Sequence, residues 1–304
     1  MDISAHKIMN NIAVSSNMLM EVSGETREEL KRTLVGMLQD IHDVCVRHNI
    51  EYCLSGGSAL GAIRHKGFIP WDDDLDIMML RNDYERFKSV FEQELGRKYI
   101  FEAANYMDVD SKTAFPKIHK RNTNLWEVQD VASPYARGIF VDIFVFENIS
   151  KYKFIRRIDA VISNFMKGVG TSMIMYRYPN KVMDKYFAST RKTWLYYKMR
   201  RLQGFLFSFI SHKTWINLYD KFISRHKQPT SEVTTPAGRK KYLGEIIPRK
   251  WLSPVKLGRF EGRDFYIPAQ ADNYLRNLYG DDYMQLPPVE KRERHFVVKL
   301  SFGE

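Results

Sequence analysis

Residues 54–77 read Leu-Ser-Gly-Gly-Ser-Ala-Leu-Gly-Ala-Ile-Arg-His-Lys-Gly-Phe-Ile-Pro-Trp-Asp-Asp-Asp-Leu-Asp-Ile, and no other stretch constrains the fold as tightly. Tyr52 to Leu54 is a strand candidate that runs into Gly56, Gly57 and Ser58, then into a short helix of apolar period. Glycines admit a close ligand, and the N–H groups of a helix start favour an anion such as phosphate. Arg64, His65 and Lys66 follow, then the Pro70-Trp71 turn and the acids Asp72, Asp73, Asp74 and Asp76. Asp74 and Asp76 stand two residues apart and lead into Ile77-Met78-Met79-Leu80, so on a strand both carboxylates share one face. Like charges that close are unfavourable unless a proton or a cation intervenes. Hard oxygens of this kind suit magnesium shared with substrate phosphates. Alone, a Gly-Gly-Ser loop or an acidic turn is ordinary; in strand–turn–helix–turn–strand order the two point to metal-dependent phosphoryl transfer.

Ile139 to Phe146 is the best strand candidate downstream, an apolar octet whose single charge is Asp142. A buried, unpaired carboxylate costs several kcal/mol, so Asp142 requires a partner. It hydrogen-bonds a loop, pairs with Arg137, or stands as a third carboxylate beside Asp74 and Asp76. In the last case two magnesium ions and an attacking hydroxyl can be placed together.

A chain of 304 residues, 44% hydrophobic, can bury a sizeable core. Cys45 and Cys53 sit in helix and strand patterns as core thiols, which excludes a disulfide framework. No Cys/His set has zinc spacing. The first twenty residues lack a basic start followed by an apolar run, and no run of about eighteen apolar residues occurs, so a cytoplasmic protein is expected. The net charge of +11 is unevenly placed. Residues 151–228 hold 17 Lys and Arg against Asp159, Asp184 and Asp220, a balance of +14 that leaves the remainder at −3.

In chain order, residues 1–22 read as an arm or a β-ribbon. Thr26 with Glu29 reads as a capping box for a helix to about His48, with Leu30, Leu34, Met37, Leu38, Ile41, Val44 and Cys45 as its buried stripe. Asn82 or Asp83 caps a second helix to about Leu95. Tyr99–Ala103, Phe115–His119 and Leu125–Val128 are short strand candidates. The basic segment reads as helices in which Trp, Tyr and Phe interleave with Arg and Lys. That composition fits an interfacial helix on an anionic membrane, a nucleic-acid surface, or an ordinary helical subdomain with a solvated basic face. Phe265-Tyr266-Ile267 is strand-like, and Pro268 opens a helix that stops at Gly280. The expected organisation is a core over 1–150, a basic helical insert over 151–228 and a C-terminal segment over 229–304 that completes the catalytic domain.

Three blocks resemble the LicD family, which includes the fukutin-type transferases: Ser55 to Ile77, Gly138 to Phe144, and Leu278-Tyr279-Gly280-Asp281-Asp282-Tyr283-Met284 with Leu286-Pro287-Pro288. The resemblance implies an α+β, nucleotidyltransferase-like core: a mixed β-sheet flanked by helices, with metal held by three carboxylates. Asp74, Asp76 and Asp142 fall on those positions. Family members transfer phosphocholine from CDP-choline to sugars of teichoic acid or lipopolysaccharide, and relatives transfer ribitol phosphate from CDP-ribitol.

On that footing an acceptor hydroxyl attacks the choline-side phosphorus and CMP leaves. Asp74 and Asp76 hold Mg2+, with Mn2+ the alternative ion, and Asp142 binds a second metal or accepts the hydroxyl proton. Gly56, Gly57 and Ser58 grip phosphate, Ser58 through its hydroxyl as well; Arg64 and Lys66 add charge, and His65 contacts substrate or makes a structural hydrogen bond. A quaternary ammonium is best held by aromatic faces, for which Trp71, Trp126 and Tyr279 are the candidates. The expected partners are CDP-choline or a related CDP-alcohol, a lipid-linked glycan acceptor and the inner membrane surface, with no nucleic acid. The rivals are another CDP donor carrying ribitol, glycerol or ethanolamine, a non-catalytic scaffold for lipid-linked glycan, and a nucleotidyltransferase that binds nucleic acid.

Overall fold

A computed structural model of the chain describes residues 20–107, 111–127, 133–135, 138–288, 292 and 296–303. The two-residue strand β1 (Met20–Glu21) precedes the long helix α1 (Gly24–Arg47). The expected apolar stripe of α1 is buried in full, from Leu30 to Cys45. The capping box does not form: Thr26 and Glu29 lie inside the helix, and Ser23 is the N-cap without a side-chain bond. β2 (Cys53–Leu54) leads directly into α2 (Gly56–Arg64). After the acidic turn come β3 (Asp76–Leu80) and α3 (Arg81–Leu95), capped by Leu80 rather than by Asn82 or Asp83. The Asp83 carboxylate instead accepts the Glu51 N–H at 3.1 Å, which ties α3 to the entry of β2.

β4 (Tyr99–Glu102), β5 (Lys117–Lys120), β6 (Asn124–Glu127) and β7 (Phe140–Asn148) follow. Then come four helices, α4 (Lys153–Arg177), α5 (Lys181–Ala188), α6 (Arg191–Leu206) and α7 (His212–Ile223). The chain returns through β8 (Glu232–Thr234), the single turn α8 (Lys241–Gly244) and β9 (Ile247–Pro248). β10 (Lys256–Phe260) and β11 (Arg263–Ile267) form an antiparallel hairpin before α9 (Ala271–Tyr279), which starts three residues after Pro268 and ends at Gly280. β12 (Phe296–Ser301) pairs with β1 and β6 in a separate small sheet.

The central sheet runs β2-β3-β7-β5-β4, with β8 paired to β7 and β9 to β8. β3 and β7 are parallel and the other neighbours antiparallel, so this is the mixed sheet of an α+β, nucleotidyltransferase-like fold. Its strands bury an apolar layer, including Ile77, Met79, Ile143 and Val145, in one core with α1 and α3. The parallel register sets Asp76 beside Asp142 at the strand starts.

One buried ion network ties this core to the basic helices. Arg81, at the start of α3, donates from Nε to both Glu147 oxygens at 3.0 Å and from Nη2 to Asp220 of α7 at 2.9 Å. Glu147 is 1% exposed, and burial pushes its carboxyl up while the adjacent guanidinium holds it down. Removing one partner of such a pair strands the other charge in a poor solvent. Arg81→Met is therefore expected to lower unfolding free energy by about 3–5 kcal/mol in urea titration. A loss below about 1 kcal/mol would mean that the pair carries no structural load.

Candidate active site

The start of α2 is stitched to the start of β3. Ser55 N–H donates to the Asp76 carbonyl and Asp76 N–H donates to Ser58 Oγ, each at 2.9 Å. Gly56 has φ +49°, in the left-handed region that favours glycine. A Cβ there would lie 3.2 Å from Asp76 Oδ2, and one on Gly57 would lie 2.8 Å from Asp72 Oδ2. The two glycines thus let two carboxylates lie directly against a helix start. The Gly56 N–H is taken by the buried Tyr274 hydroxyl at 3.1 Å, which fixes the orientation of this turn from α9.

Two cavities open here and share a wall. The smaller, about 180 Å³, is lined by Gly56, Gly57, Asp72, Asp74, Asp76 and Glu245 among others. The larger, about 500 Å³, is lined by Arg64, Trp71, Tyr283, Leu286 and Pro287 among others. Gly57, Asp72, Arg239 and Tyr279 line both. The pair reads as one elongated site with an acidic end and an aromatic, basic end.

Burial, followed by the charges of Asp74, Asp142 and Asp72, pushes the Asp76 carboxyl well above the usual range. Burial likewise pushes Asp142 up to about 6, against the opposing Lys117 ammonium. Lys117 Nζ lies 2.8 Å from Asp142 Oδ1 and 3.4 Å from the centre of the Phe140 ring. Burial works to lower Lys117, but Asp142 and Glu127 outweigh it and hold the amine charged. The third carboxylate therefore already has a counter-charge.

Among the described residues no group of three or more His, Cys, Asp or Glu side chains is arranged to hold a metal ion. The donor set still fits a hard divalent cation in chemistry. Asp74 and Asp76 line the cavity beside Asp72, and the crowding of their oxygens works against the ionisation of Asp76. Magnesium commonly takes one or two carboxylates and completes its shell with phosphate and water.

The residues expected from the sequence divide into three groups. Gly56, Gly57, Asp74 and Asp76 line the smaller cavity, Trp71 and Arg64 the larger, and Tyr279 both. Ser58, Asp142 and His65 are not among the residues that line either cavity, though Asp142 lies in register with Asp76. The Ser58 side chain is spent on the Asp76 N–H, and His65 Nε2 accepts from Arg64 Nε at 2.9 Å, where burial and the guanidinium keep the imidazole below its usual range. Arg64 also donates to the Tyr283 and Gln285 carbonyls and so pins the wall of the larger cavity. Lys66 and Trp126 are not brought to either cavity. Lys66 is an exposed left-handed turn residue whose Nζ meets the Ile63 carbonyl, and Trp126 sits on β6 under Lys299. Arg137 lies outside the described residues. Asp72, Lys117, Arg239, Tyr274 and Glu245 were not expected; Lys117 was signalled only by sitting on the strand candidate before Asp142.

Residues 49–159 match the family described as LicD/FKTN/FKRP, nucleotidyltransferase domain. The chain is 29% identical over 283 residues to the lipopolysaccharide cholinephosphotransferase LicD of Haemophilus influenzae, covering 90% of this chain and 96% of that protein. It is 31% identical over 127 residues to an uncharacterized protein of Rickettsia prowazekii, 40% of this chain and 47% of that one. It is 29% identical over 126 residues to the human ribitol 5-phosphate transferase FKRP, 35% of this chain and 24% of that one.

The raised carboxyls fix a sign. A carboxyl whose native pKa exceeds the ordinary 3.8 stabilises the fold while protonated, and that contribution is lost as pH rises through the native value. Without divalent ions, the melting temperature of the wild type relative to Asp76→Asn is expected to fall as pH rises from about 4. Magnesium at about pH 8 should recover the wild type and leave Asp76→Asn unmoved in thermal melts. An equal response in both proteins would remove Asp76 from ion binding.

Proposed function

The chain carries a LicD-family nucleotidyltransferase domain, and from that premise we propose that it transfers a phospho-alcohol from a CDP donor to a sugar hydroxyl, releasing CMP. The donor is CDP-choline and the acceptor a cell-surface glycan precursor, a teichoic acid or similar, carried on lipid at the inner face of the membrane by a cytoplasmic enzyme. The observation that carries this is the convergence of Asp72, Asp74 and Asp76 on a glycine-lined helix start, with Asp142 in register on the next strand.

The acceptor oxygen bonds to the distal phosphorus, the bond from that phosphorus to the CMP oxygen breaks, and the hydroxyl proton passes to a carboxylate. Mg2+, or Mn2+, would be held by Asp74 and Asp76 and would neutralise charge gathering on the phosphates and the leaving CMP. Lys117 supplies for Asp142 the positive charge that an ion supplies elsewhere, which leaves Asp142 to take the proton. Arg239, on the shared wall, is placed to meet phosphate charge, and the glycine turn lets phosphate approach the backbone. The aromatic end, with Trp71 and Tyr279, suits a quaternary ammonium.

Choline is favoured because the relative that spans most of the chain is a cholinephosphotransferase by name. Ribitol, glycerol or ethanolamine phosphate is the second reading, favoured by the ribitol phosphate transferase match over the domain and by the displacement of Trp126 from the site.

Asp76→Asn is expected to cut transfer at least about a hundredfold with an unchanged circular dichroism spectrum. Turnover at the wild-type rate in the folded variant would remove Asp76 from the mechanism. Calorimetry across CDP-choline, CDP-ethanolamine, CDP-glycerol, CDP-ribitol and CTP in magnesium is expected to show CDP-choline binding tightest. Preference for a polyol nucleotide would replace the transferred group, and binding of none would support a non-catalytic scaffold.

A further inference from the structure

Large apolar side chains left in solvent are concentrated on two helices of the basic insert. On α4 they recur at Phe154, Ile158, Val161 and Phe165, spacings of four, three and four that mark one helix face. The same spacing recurs on α6 at Leu195, Met199, Leu202 and Leu206. These are not marginal exposures: Phe154 is 73% exposed, Val161 70% and Met199 63%. The α4 ridge runs on into the end of α6: the Phe165 ring meets Phe207 edge-on at 5.7 Å and Phe207 stacks on Phe209, itself 80% exposed. Exposed apolar side chains gathered in this number mark an interaction face.

The charge around it is one-sided. All three acids of residues 151–228 are engaged with other groups: Asp159 with Arg225 and His226, Asp184 with the Tyr197 hydroxyl, Asp220 with Arg81. Lys153, Arg157, Arg191, Lys192 and Lys198 are exposed on the same two helices. Arg200 is not among these lipid-facing candidates, since its guanidinium bonds the Gly168 carbonyl and Gln203 and joins α6 to α4.

We propose that α4 and α6 form a docking face for an anionic lipid surface, with the apolar ridges seated at the headgroup–acyl boundary and the exposed cations among the headgroups. An amphipathic face of this composition binds by buried apolar area plus attraction to anionic lipid. Six of the eight ridge residues carry no ring, whereas a nucleic-acid platform is built on rings on which bases stack, so lipid is the better match. A second copy would bring two segments of +14 together. No helix among the described residues is long and apolar enough to cross a membrane, so the contact is in the plane of the surface. The choice of the inner membrane face rests on the function proposed above; the binding itself does not.

The test is co-sedimentation with vesicles of phosphatidylglycerol and phosphatidylethanolamine, against vesicles of phosphatidylcholine. Wild type is expected to bind the anionic vesicles, more weakly as salt rises. The pairs Phe154→Glu with Val161→Glu and Leu195→Glu with Met199→Glu should each reduce binding about tenfold or more, with unchanged thermal melts because all four positions face solvent. Phe154→Ala with Val161→Ala gives a smaller loss in the same direction and guards against misfolding. Asp76→Asn should bind like wild type, so loss of transfer and loss of docking are read separately. No binding to anionic vesicles at low salt, binding unmoved by the ridge substitutions, or RNA binding or self-association in its place would overturn the proposal.

Discussion

Four carboxylates act on one buried point, and the surrounding structure is arranged around that repulsion. Asp76 lies where burial and the charges of Asp74, Asp142 and Asp72 all oppose its ionisation. At short range in a poorly screened site such repulsions amount to several kcal/mol. The fold offsets part of it locally: Lys117 neutralises Asp142 from the neighbouring strand, and the Asp76 N–H is satisfied by Ser58. Glycines at 56 and 57 let the acids crowd a helix start whose dipole is positive. What remains is a cluster of carboxylates on the wall of an open cavity, crowded enough to oppose the ionisation of Asp76. On the function proposed above, a cation shared with substrate would relieve that crowding.

Periodicity carried the core. The stripe on α1 is where the spacing of apolar residues puts it, because burial of one helix face depends on sequence-local geometry. Side-chain caps failed, since Thr26 and Asp83 have the right chemistry but other partners or positions won. The acidic cluster was legible because its members lie within a few residues on one turn. Lys117, Arg239 and Tyr274 were not, for each reaches the site from a distant part of the chain through sheet register or loop placement. Trp126 fails for the related reason that strand alternation sends it to the side occupied by Lys299, while Glu127 beside it contributes to the field at Asp142. Ser58 shows a further limit: a hydroxyl in a phosphate-loop pattern holds the strand that bears the acid instead of displaying itself to ligand.

The molecule segregates charge. Excluding the insert, the chain balances at −3, with Asp72, Asp74, Asp76 and Glu245 gathered at the smaller cavity; the insert balances at +14 and turns its few acids to internal partners. The Arg81–Glu147–Asp220 network crosses the junction, so an insert acid is used to satisfy a core arginine. Asp159 of α4 is buried against Arg225 and His226, and Asp184 of α5 accepts from the Tyr197 hydroxyl. If the proposals above hold, opposite electrostatic characters on one chain would let an anionic substrate be held at one place while the protein is drawn to an anionic surface at another.

The aromatic end of the site contains its own competitor. The Arg292 guanidinium lies 4.2 Å from the centre of the Trp71 ring, in the position a ligand cation would take. A quaternary ammonium has no N–H to offer, so its affinity depends on aromatic faces, and it must displace Arg292 or settle for Tyr279 on the shared wall. A polyol makes the opposite demand: it needs donors and acceptors, and an arginine left on Trp71 supplies donors beside the Asp72 carboxylate. On the function proposed above, the same two residues would serve either donor class with Arg292 in different places. Donor choice would then depend on the Arg292–Trp71 stack as much as on the ring itself, and a sequence motif that supplies Trp71 does not by itself specify choline.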